Sequence, residues 1–345
     1  MSLAISPQGC ILGIETSCDE TSAAILRDGE LASVVVSSQF FHDKFGGVVP
    51  ELASRAHVRS ILPILRETLR QANTTVDGLD AVAVTHAPGL MGSLLVGLNF
   101  VKGLALGLGI PLIGIHHIEA HIFSALLEQE KPEVPFVTLV VSGGHTLLIL
   151  VKDVGNYEFL GETLDDAAGE AFDKVGKMLG LDYPAGPEID KLAREGNPTF
   201  VKFPRALMNE DNYDFSFSGI KTSVLYWLKK QSGISNEMKK DIASSFQRAM
   251  VDILVTKALR AAETHGITDI VCVGGVSANS ELRARFKTEC THRGMRFFVP
   301  RPLFSTDNAA MIAMLGALKL SSGIVSDLSL AAQPRLPLVH RPELH

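Results

Sequence analysis

The sequence predicts an α/β protein of two lobes, because its two halves repeat one run of elements. The first half has the pattern β-β-β-α-β-α-β-α, and a strand, tight turn and strand start again after the proline-flanked break Pro132–Pro135. The 345 residues are enough for two domains of ordinary size. Two such units facing each other predict a ligand cleft between them.

The elements of the first half follow from its apolar patterns. The apolar run Cys10–Cys18 predicts a buried strand, and the alternating segment after it, with a turn at Asp28-Gly29, predicts a hairpin or meander. Residues Arg55–Asn73 have helical spacing, with one apolar stripe made of Val58, Ile61, Leu62, Leu65 and Leu69. A strand, a helix, a strand and a final helix complete this half, in the segments AVAVTHAPG, Met91–Gly109, PLIGIHH and IEAHIFSALLEQE.

One segment, Met91–Ile110, is similar to a membrane-spanning helix in its length and apolar character. Asn99 and Lys102 lie near its middle, and glycine is frequent in it. A buried helix that uses small residues for close packing is therefore favoured, and we expect no membrane association.

The second half repeats the plan with a longer helical part. FVTLVVSGGHTLLILVKD predicts strand, turn and strand, and Asp165–Leu179 predicts a helix whose apolar stripe is Ala168, Phe172, Val175 and Leu179. A long helix is expected over about Glu237–His265. We therefore place the lobes at 1–134 and 135–345, with an inserted helical region at about 182–265.

Polar or glycine turns follow three predicted strands. The hairpin units Leu12–Leu26 and Leu139–Leu150 each contain one, and VGGVSAN forms the third, just before a helix. Glycine turns bring backbone N–H groups to phosphate oxygens, and a helix N-terminus favours an anion. The alternative for Gly143-Gly144 is a two-residue hairpin turn of type I′ or II′, in which glycine only supplies a positive φ.

Charge and cysteine content limit the functions open to the chain. With 32 basic and 38 acidic residues the net charge is −6, so nucleic acid would need a local basic patch or a partner. Two local basic groups are Arg55, His57, Arg59 and Lys221, Lys229, Lys230, although a solvated face is the alternative for both. Four cysteines without a Cys-x-x-Cys pair, and a start without a signal-peptide pattern, predict a reducing, cytoplasmic location.

The stretch IHHIEAH contains a candidate metal pair. His117 and His121 are four residues apart, which places both on one face of a helix. The zinc-protease motif needs glutamate directly after the first histidine, but Ile118 stands there and Glu119 comes one place too late. On local sequence alone, histidines that cap a helix or lie hydrogen-bonded in the interior remain the alternative to a metal pair.

Eight motifs spread from Gly13 to about Ala317 together resemble the TsaD family, formerly called O-sialoglycoprotein endopeptidase, in its bacterial branch. The motifs are GIETSCDET, FGGVVPELASRAH, HHIEAH, VSGGHT, the segment Gly169–Asp190, YDFSFSGIKT, GGVSAN and TDNAAMIA.

The resemblance implies an actin/Hsp70/sugar-kinase-like (ASKHA) fold with duplicated βββαβαβα halves around a nucleotide cleft. It implies transfer of the threonylcarbamoyl group from threonylcarbamoyl-adenylate to the exocyclic amine of the adenosine 3′ of the anticodon, in tRNAs reading ANN codons. It also implies TsaB-like and TsaE-like partners, with a TsaC-type enzyme supplying the adenylate.

The resemblance further implies which residues form the sites. Asp307 would join His117 and His121 around one divalent metal ion per subunit, iron(II) in first place and zinc as the alternative; without the resemblance, Asp307 reads as a helix N-cap. Asp19 is expected near the leaving phosphate or the incoming amine, where it would accept the amine proton. Substrate or an ATP/AMP-type nucleotide is expected at Val140, Val141, Ser142, Gly143, Gly144, Asp173, Gly186, Asp190 and Asn279.

Three other functions make different predictions. A small-molecule kinase or ATPase of the same fold would turn over ATP alone and would not need the histidine pair. A metalloprotease would need the glutamate that is displaced here. A non-catalytic scaffold subunit, like the degenerate paralogues of the family, would lack the metal residues that this chain has.

Overall fold

The computed structural model describes residues 9–39 and 48–339. These form two compact units, one made of residues up to Lys131 together with those from Pro300 onward, the other of Pro132–Val299. Phe45–Gly47, which open one of the quoted motifs, lie outside the described residues.

The first unit is built on a five-stranded mixed sheet with the order β3-β2-β1-β4-β5. Its strands are β1 (Cys10–Glu15), β2 (Glu20–Arg27), β3 (Glu30–Ser38), β4 (Ala81–Ala87) and β5 (Leu112–His116). β1 and β2 are antiparallel, as are β2 and β3, whereas β4 pairs in parallel with both β1 and β5. The carboxyl ends of β1, β4 and β5 therefore meet at one edge of the sheet.

The predicted turn at Asp28-Gly29 is confirmed. Both residues have positive φ, 50° and 82°, as a two-residue turn of type I′ requires. It joins β2 to β3 with Leu26 opposite Leu31.

Two long helices of the first unit are apolar on more than their buried face. α1 (Pro50–Gln71) buries Ile61, Leu65 and Leu69 as predicted. The other two members of its predicted stripe do not join the core, since Val58 is 63% exposed and Leu62 is 44% exposed. The predicted apolar stripe is therefore wider than the face of α1 that packs against the rest of the first unit.

α2 (Met91–Leu108) is the one helix in the described ranges that is long and apolar enough to cross a membrane, by length and composition. It packs on β4 and α1 through residues such as Leu94, Leu98 and Val101. Only 33% of it is buried, so the predicted buried helix is buried on one face alone. A short helix, α3 (His117–Phe123), follows β5 directly.

The second unit repeats the topology of the first. Its sheet has the order β10-β9-β6-β7-β8. The strands are β6 (Phe136–Val141), β7 (Thr146–Asp153), β8 (Asn156–Glu162), β9 (Asp269–Val273) and β10 (Arg296–Phe298). β6 is antiparallel to β7 and parallel to β9, as β1 is to β2 and β4, so the predicted duplication is present in the pairing.

Five helices belong to this unit: α4 (Ala168–Leu179), α5 (Gly186–Ala193), α6 (Ser218–Lys229), α7 (Asn236–His265) and α8 (Ser280–His292). The whole predicted apolar stripe of α4 is buried. It joins a core that includes the apolar face of α7 and the inner residues of β6 and β7.

After β10 the chain returns to the first unit. α9 (Pro302–Ser305) is followed by α10 (Ala309–Ser321), which packs on β1 and β2. Two glycines allow the close approach: a Cβ on Gly13 would lie 2.4 Å from the Ala309 carbonyl oxygen, and one on Gly316 would lie 2.5 Å from the Ala83 Cβ. The division therefore differs from the predicted lobe 135–345, because a helix that is apolar nearly all round is covered by the first sheet.

Candidate functional site

The two predicted histidines lie at the start of α3, just past the carboxyl end of β5. His116 forms the N-cap of this helix, its Nδ1 accepting from the Glu119 N–H at 3.4 Å. The helix then places the rings of His117 and His121 edge to face, with centroids 4.7 Å apart and planes at 87°. Both rings present Nε2 to the same point, 3.2 Å from each other.

Asp307 reaches the same point from the segment between α9 and α10. Its Oδ1 lies 3.0 Å from Nε2 of His121 and 3.4 Å from Nε2 of His117. The N-cap alternative for Asp307 is wrong, because Asn308 caps α10 by accepting from the Met311 N–H at 3.1 Å. The Asp307 carboxylate is therefore directed to the histidines.

The spacing of the three atoms suits a metal ion. Ligand atoms about 2.0–2.1 Å from a tetrahedral zinc ion lie roughly 3.3 Å from one another, close to the three separations found here. Two imidazoles and one carboxylate are ligands that iron(II) and zinc both accept, and they leave coordination positions open. The sequence predicted these three residues from two distant segments, and the structure brings them together.

Glu15 orients the first histidine, a role that the sequence pattern did not predict. Its buried carboxylate lies 3.1 Å from Nδ1 of His117 and also accepts from Thr85 Oγ1 at 2.6 Å and from the Ser17 N–H at 2.5 Å. A carboxylate on Nδ1 leaves Nε2 free for a metal ion. The signal available in the sequence was an acid at the end of the otherwise apolar strand CILGIE.

These groups shift one another's proton affinity. Burial opposes the charged form of His117, but the Asp307 and Glu15 carboxylates raise its pKa well above the usual range. Burial acts against the ionised acids as well, and His117 lowers the pKa of both Glu15 and Asp307. Without a metal ion, the cluster therefore favours a protonated histidine between two carboxylates.

The β1–β2 turn adds further acids beside this cluster. Burial, Asp307 and Asp19 together raise the pKa of Glu20 to about 9, and burial also raises the pKa of the Cys18 thiol. The turn is held by His57, whose Nε2 lies 2.9 Å from the Cys18 carbonyl oxygen and whose Nδ1 lies 2.8 Å from Thr21 Oγ1.

His57 is fully buried, so the predicted basic group Arg55, His57, Arg59 is wrong for this residue. In the other predicted basic group, Lys221 is bonded to Asp166 at 2.7 Å, whereas Lys229 and Lys230 are exposed.

The β6–β7 turn of the second unit is longer than the two-residue turn given as the alternative for Gly143-Gly144. Four residues, 142–145, connect the strands, and the Ser142 N–H donates to the His145 carbonyl oxygen at 2.8 Å. Neither Gly143 nor Gly144 has a positive φ, so the type I′ or II′ alternative is wrong. A Cβ on either would meet nothing within 4 Å, which leaves backbone accessible on that side.

The other predicted substrate residues also lie in the second unit. Gly186 is the first residue of α5, and the other three each have a local structural bond. Asp173 accepts from the Ala185 N–H at 2.8 Å just before α5, and burial raises its pKa. Asp190 accepts from the Ser280 hydroxyl at 2.7 Å and thereby joins α5 to the start of α8. Asn279 is the N-cap of α8, and its amide also donates to Gln247.

A family model and named relatives match most of this chain. The family model described as TsaD: tRNA N6-adenosine threonylcarbamoyltransferase matches residues 30–314. A protein of Chlorobium luteolum with the name tRNA N6-adenosine threonylcarbamoyltransferase is 54% identical over 327 residues, which cover 91% of this chain and 94% of the relative. A protein of Symbiobacterium thermophilum with the same name is 50% identical, covering 96% of this chain and 97% of the relative.

Solved structures resemble the chain in fold. HypF from T. kodakarensis matches with a TM-score of 0.61 at 16% identity, over 93% of this chain and 49% of that one. The activator of 2-hydroxyisocaproyl-CoA dehydratase from Clostridium difficile matches with a TM-score of 0.53 at 14% identity, over 92% and 98%. The fold is thus of the ASKHA type, and the chain belongs to the TsaD family of tRNA N6-adenosine threonylcarbamoyltransferases.

Proposed function

We propose that this protein transfers the threonylcarbamoyl group from threonylcarbamoyl-adenylate to the exocyclic amine of the adenosine 3′ of the anticodon, in tRNAs reading ANN codons. The observation that carries the proposal is the cluster of His117, His121 and Asp307 in a chain of this family. AMP is the leaving group, so the site must hold a phosphate, polarise a carbonyl group and exclude water.

His117, His121 and Asp307 are the proposed ligands of one divalent ion, iron(II) in first place and zinc as the alternative. When bound, the ion supplies Lewis-acid polarisation of a phosphate or carbonyl oxygen. The chain's own contribution is orientation: Glu15 fixes the Nδ1 side of His117, and the helical spacing sets His121 beside it.

We assign the substrate to residues of the second unit. The accessible backbone at Val140–Gly144 would donate N–H groups to the oxygens of the adenylate. Asp173, Gly186 and Asp190 would bind the ribose, and Asn279 the adenine side. Asp173 and Asp190 already hold backbone at the starts of α5 and α8, which supports a rigid site.

Asp19 is the proposed acceptor of the amine proton. It lies in the acidic β1–β2 turn, next in sequence to Glu20, whose pKa is raised by burial and by Asp307. A carboxylate in this turn can take a proton that the attacking amine releases.

The family and the exposed surface of the first unit support the proposed partners. We propose tRNA as substrate, TsaB-like and TsaE-like proteins as partners, a TsaC-type enzyme as the source of adenylate, and the cytoplasm as the location. Exposed apolar residues on the packed helices α1 and α2 support a protein interface there: Val58, Leu62, Leu95 and Leu106.

The geometry argues against the protease alternative. Glu119, the only acid within the IHHIEAH stretch, is buried and pairs with Lys319 at 2.7 Å. It is therefore bonded away from the two histidines and does not take the place of a protease's general base. A kinase or ATPase would use the same fold but leaves the His–His–Asp cluster without a role.

Reconstitution tests the proposal. Metal-loaded protein, its TsaB-like and TsaE-like partners, threonylcarbamoyl-adenylate and unmodified tRNA are incubated, and the nucleosides are analysed by mass spectrometry. We expect threonylcarbamoyladenosine with the native protein and almost none with His117→Ala. A metal-loaded native protein that forms no product would contradict the proposal.

A further inference from the structure

The segment after α10 runs as an extended strap across the first unit. We name residues 326–336 the C-terminal strap. It begins at the edge strand β5, where the Ser326 N–H donates to the Leu112 carbonyl oxygen at 2.8 Å and the Gly114 N–H donates to Ser326 Oγ at 3.0 Å. Leu330 then covers Gly114 so closely that a Cβ there would lie 2.7 Å from Leu330 Cδ2. The strap thus closes an otherwise open sheet edge.

Farther along, the strap bonds to the end of β4 and to the turn after it. The Gln333 N–H donates to the His86 carbonyl oxygen at 2.8 Å, and the Gly89 N–H donates to the Pro334 carbonyl oxygen at 3.2 Å. Gly89 has a φ of +159° and lies against Ser17, where a Cβ would meet the Ser17 carbonyl oxygen at 2.6 Å. This part of the strap therefore supports the backbone at Ser17.

Ser17 connects this part of the strap to the cluster of His117, His121 and Asp307. Its hydroxyl lies 3.2 Å from Nδ1 of His117, and its N–H donates to Glu15, the carboxylate on the same nitrogen. The Leu90 N–H also donates to the Ser17 carbonyl oxygen at 2.8 Å, which ties the turn after β4 to the residue that follows β1. One route thus runs from Pro334 through Gly89 and Ser17 to His117.

The end of the strap reaches the cluster by a second route. The ring of His116 lies with Nε2 2.8 Å from the Leu336 carbonyl oxygen, while its Nδ1 accepts from the Glu119 N–H. Both bonds form together only in the neutral tautomer with the hydrogen on Nε2. His116 is the residue before His117, so the strap fixes the point at which α3 begins.

We propose that the C-terminal strap is a positioning element of the metal centre, acting on His117 through His116 and through Ser17. The inference rests on the metal site of the proposed function. It adds that the affinity of that site depends on backbone bonds made by residues more than 200 positions away in sequence. Residues outside the ligand shell that orient a ligand typically change metal affinity by about 10- to 100-fold.

The test measures Zn²⁺ affinity by chelator competition on the full chain. His116→Asn keeps a short acceptor for the Glu119 N–H but loses the donor to Leu336. Leu330→Ala loosens the strap over β5. We expect affinity to fall about 10- to 100-fold in H116N and about 10-fold in L330A. Ile324→Ala, at a 49% exposed residue just before the strap, is the control and should bind as the native chain does.

Two readouts separate positioning from a merely structural role. Thermal unfolding of the metal-free variants identifies a temperature at which each is folded, and affinities are compared there. Co²⁺ bound to the variants should show shifted d–d absorption, since the ligand geometry changes. Native affinity and spectrum in both H116N and L330A would overturn the inference while leaving the metal site intact. Equal, weak Zn²⁺ binding by the native chain and His117→Ala would instead contradict the metal site itself.

Discussion

The β1–β2 turn and the β6–β7 turn connect equivalent strands of the two sheets, but they differ in packing and in the groups that they present. The β1–β2 turn of the first unit follows Glu15 and carries Asp19, and it is packed tightly: a Cβ on Gly97 of α2 would lie 2.4 Å from Thr16 Oγ1. The β6–β7 turn of the second unit carries Gly143 and Gly144, beside which an added Cβ would meet nothing within 4 Å. One turn presents side-chain acids, and the other presents backbone.

Under the proposed function, the difference gives one topology two chemistries. Acids beside two histidines favour a cation, whereas accessible backbone N–H groups favour the oxygens of an anion. The pairing of strands is the same in both units, so the residues at one turn, and not the fold, decide which ligand is favoured.

The largest effect is expected from the metal side of the comparison. His117→Ala removes a proposed ligand atom and should lower threonylcarbamoyl transfer by about 1,000-fold or more, since Lewis-acid stabilisation amounts to several kcal/mol. Elemental analysis should find less bound metal in the same preparation. His292→Ala, at an exposed histidine at the end of α8, is the matched control. Full metal content in His117→Ala would show that this residue is not a ligand.

The next largest effect is expected at Asp19, the acid in the β1–β2 turn. Asp19→Ala should lower kcat by about 100-fold and change KM little, because a general base acts in the transition state. The measurement is transfer to tRNA with partners in excess. Near-normal turnover would remove Asp19 from the chemistry.

A smaller effect is expected at the glycine turn. Gly144→Ala has room for its methyl group and needs no positive φ, so the protein should fold normally. If the adenylate packs on this backbone, the methyl group should raise the KM for threonylcarbamoyl-adenylate by about 10-fold. Gly233→Ala, also in open space, should leave KM unchanged. An unchanged KM in G144A would move the substrate away from this turn.

The last effect concerns stability and pH, and not activity. The pKa of Glu20 is about 9 in the fold against an ordinary value of 4.5, so the folded state binds the extra proton between these values. The contribution of Glu20 to stability is therefore fully present below pH 4.5 and is lost as pH rises towards 9.

Glu20→Gln removes this dependence. Denaturant unfolding of the metal-free protein at pH 5.5 and 7.5 should show a shallower loss in the variant than in the native chain. Equal slopes would mean that Glu20 does not bind the extra proton in the metal-free folded state.

Local patterns in the sequence predicted most of the architecture. Strand alternation, the Asp28-Gly29 turn and the α4 stripe reflect short-range physics, and the structure confirms them. Periodicity failed for Val58 and Leu62, because an apolar side chain has the same spacing whether it faces the core or solvent. The return of α10 to the first sheet could not be predicted, since nothing local distinguishes two similar sheets as partners.

The site was predictable in part. His117 and His121 are recognisable by their spacing, but Asp307 needed the family resemblance, because it lies 186 residues from His121. Glu15 was missed because one acid at the end of an apolar strand has many explanations. Its role becomes visible only when the carboxylate is seen on Nδ1 of His117.

The placement of α10 has a consequence for how the protein is made. The ribosome delivers the first sheet early, but the helix that covers β1 and β2, and the aspartate that faces the two histidines, emerge only after the whole second unit has been translated. A nascent or prematurely ended chain has the histidine pair without Asp307. The three side chains of the cluster are therefore present together only in chains whose synthesis has passed Asp307, after the whole second unit.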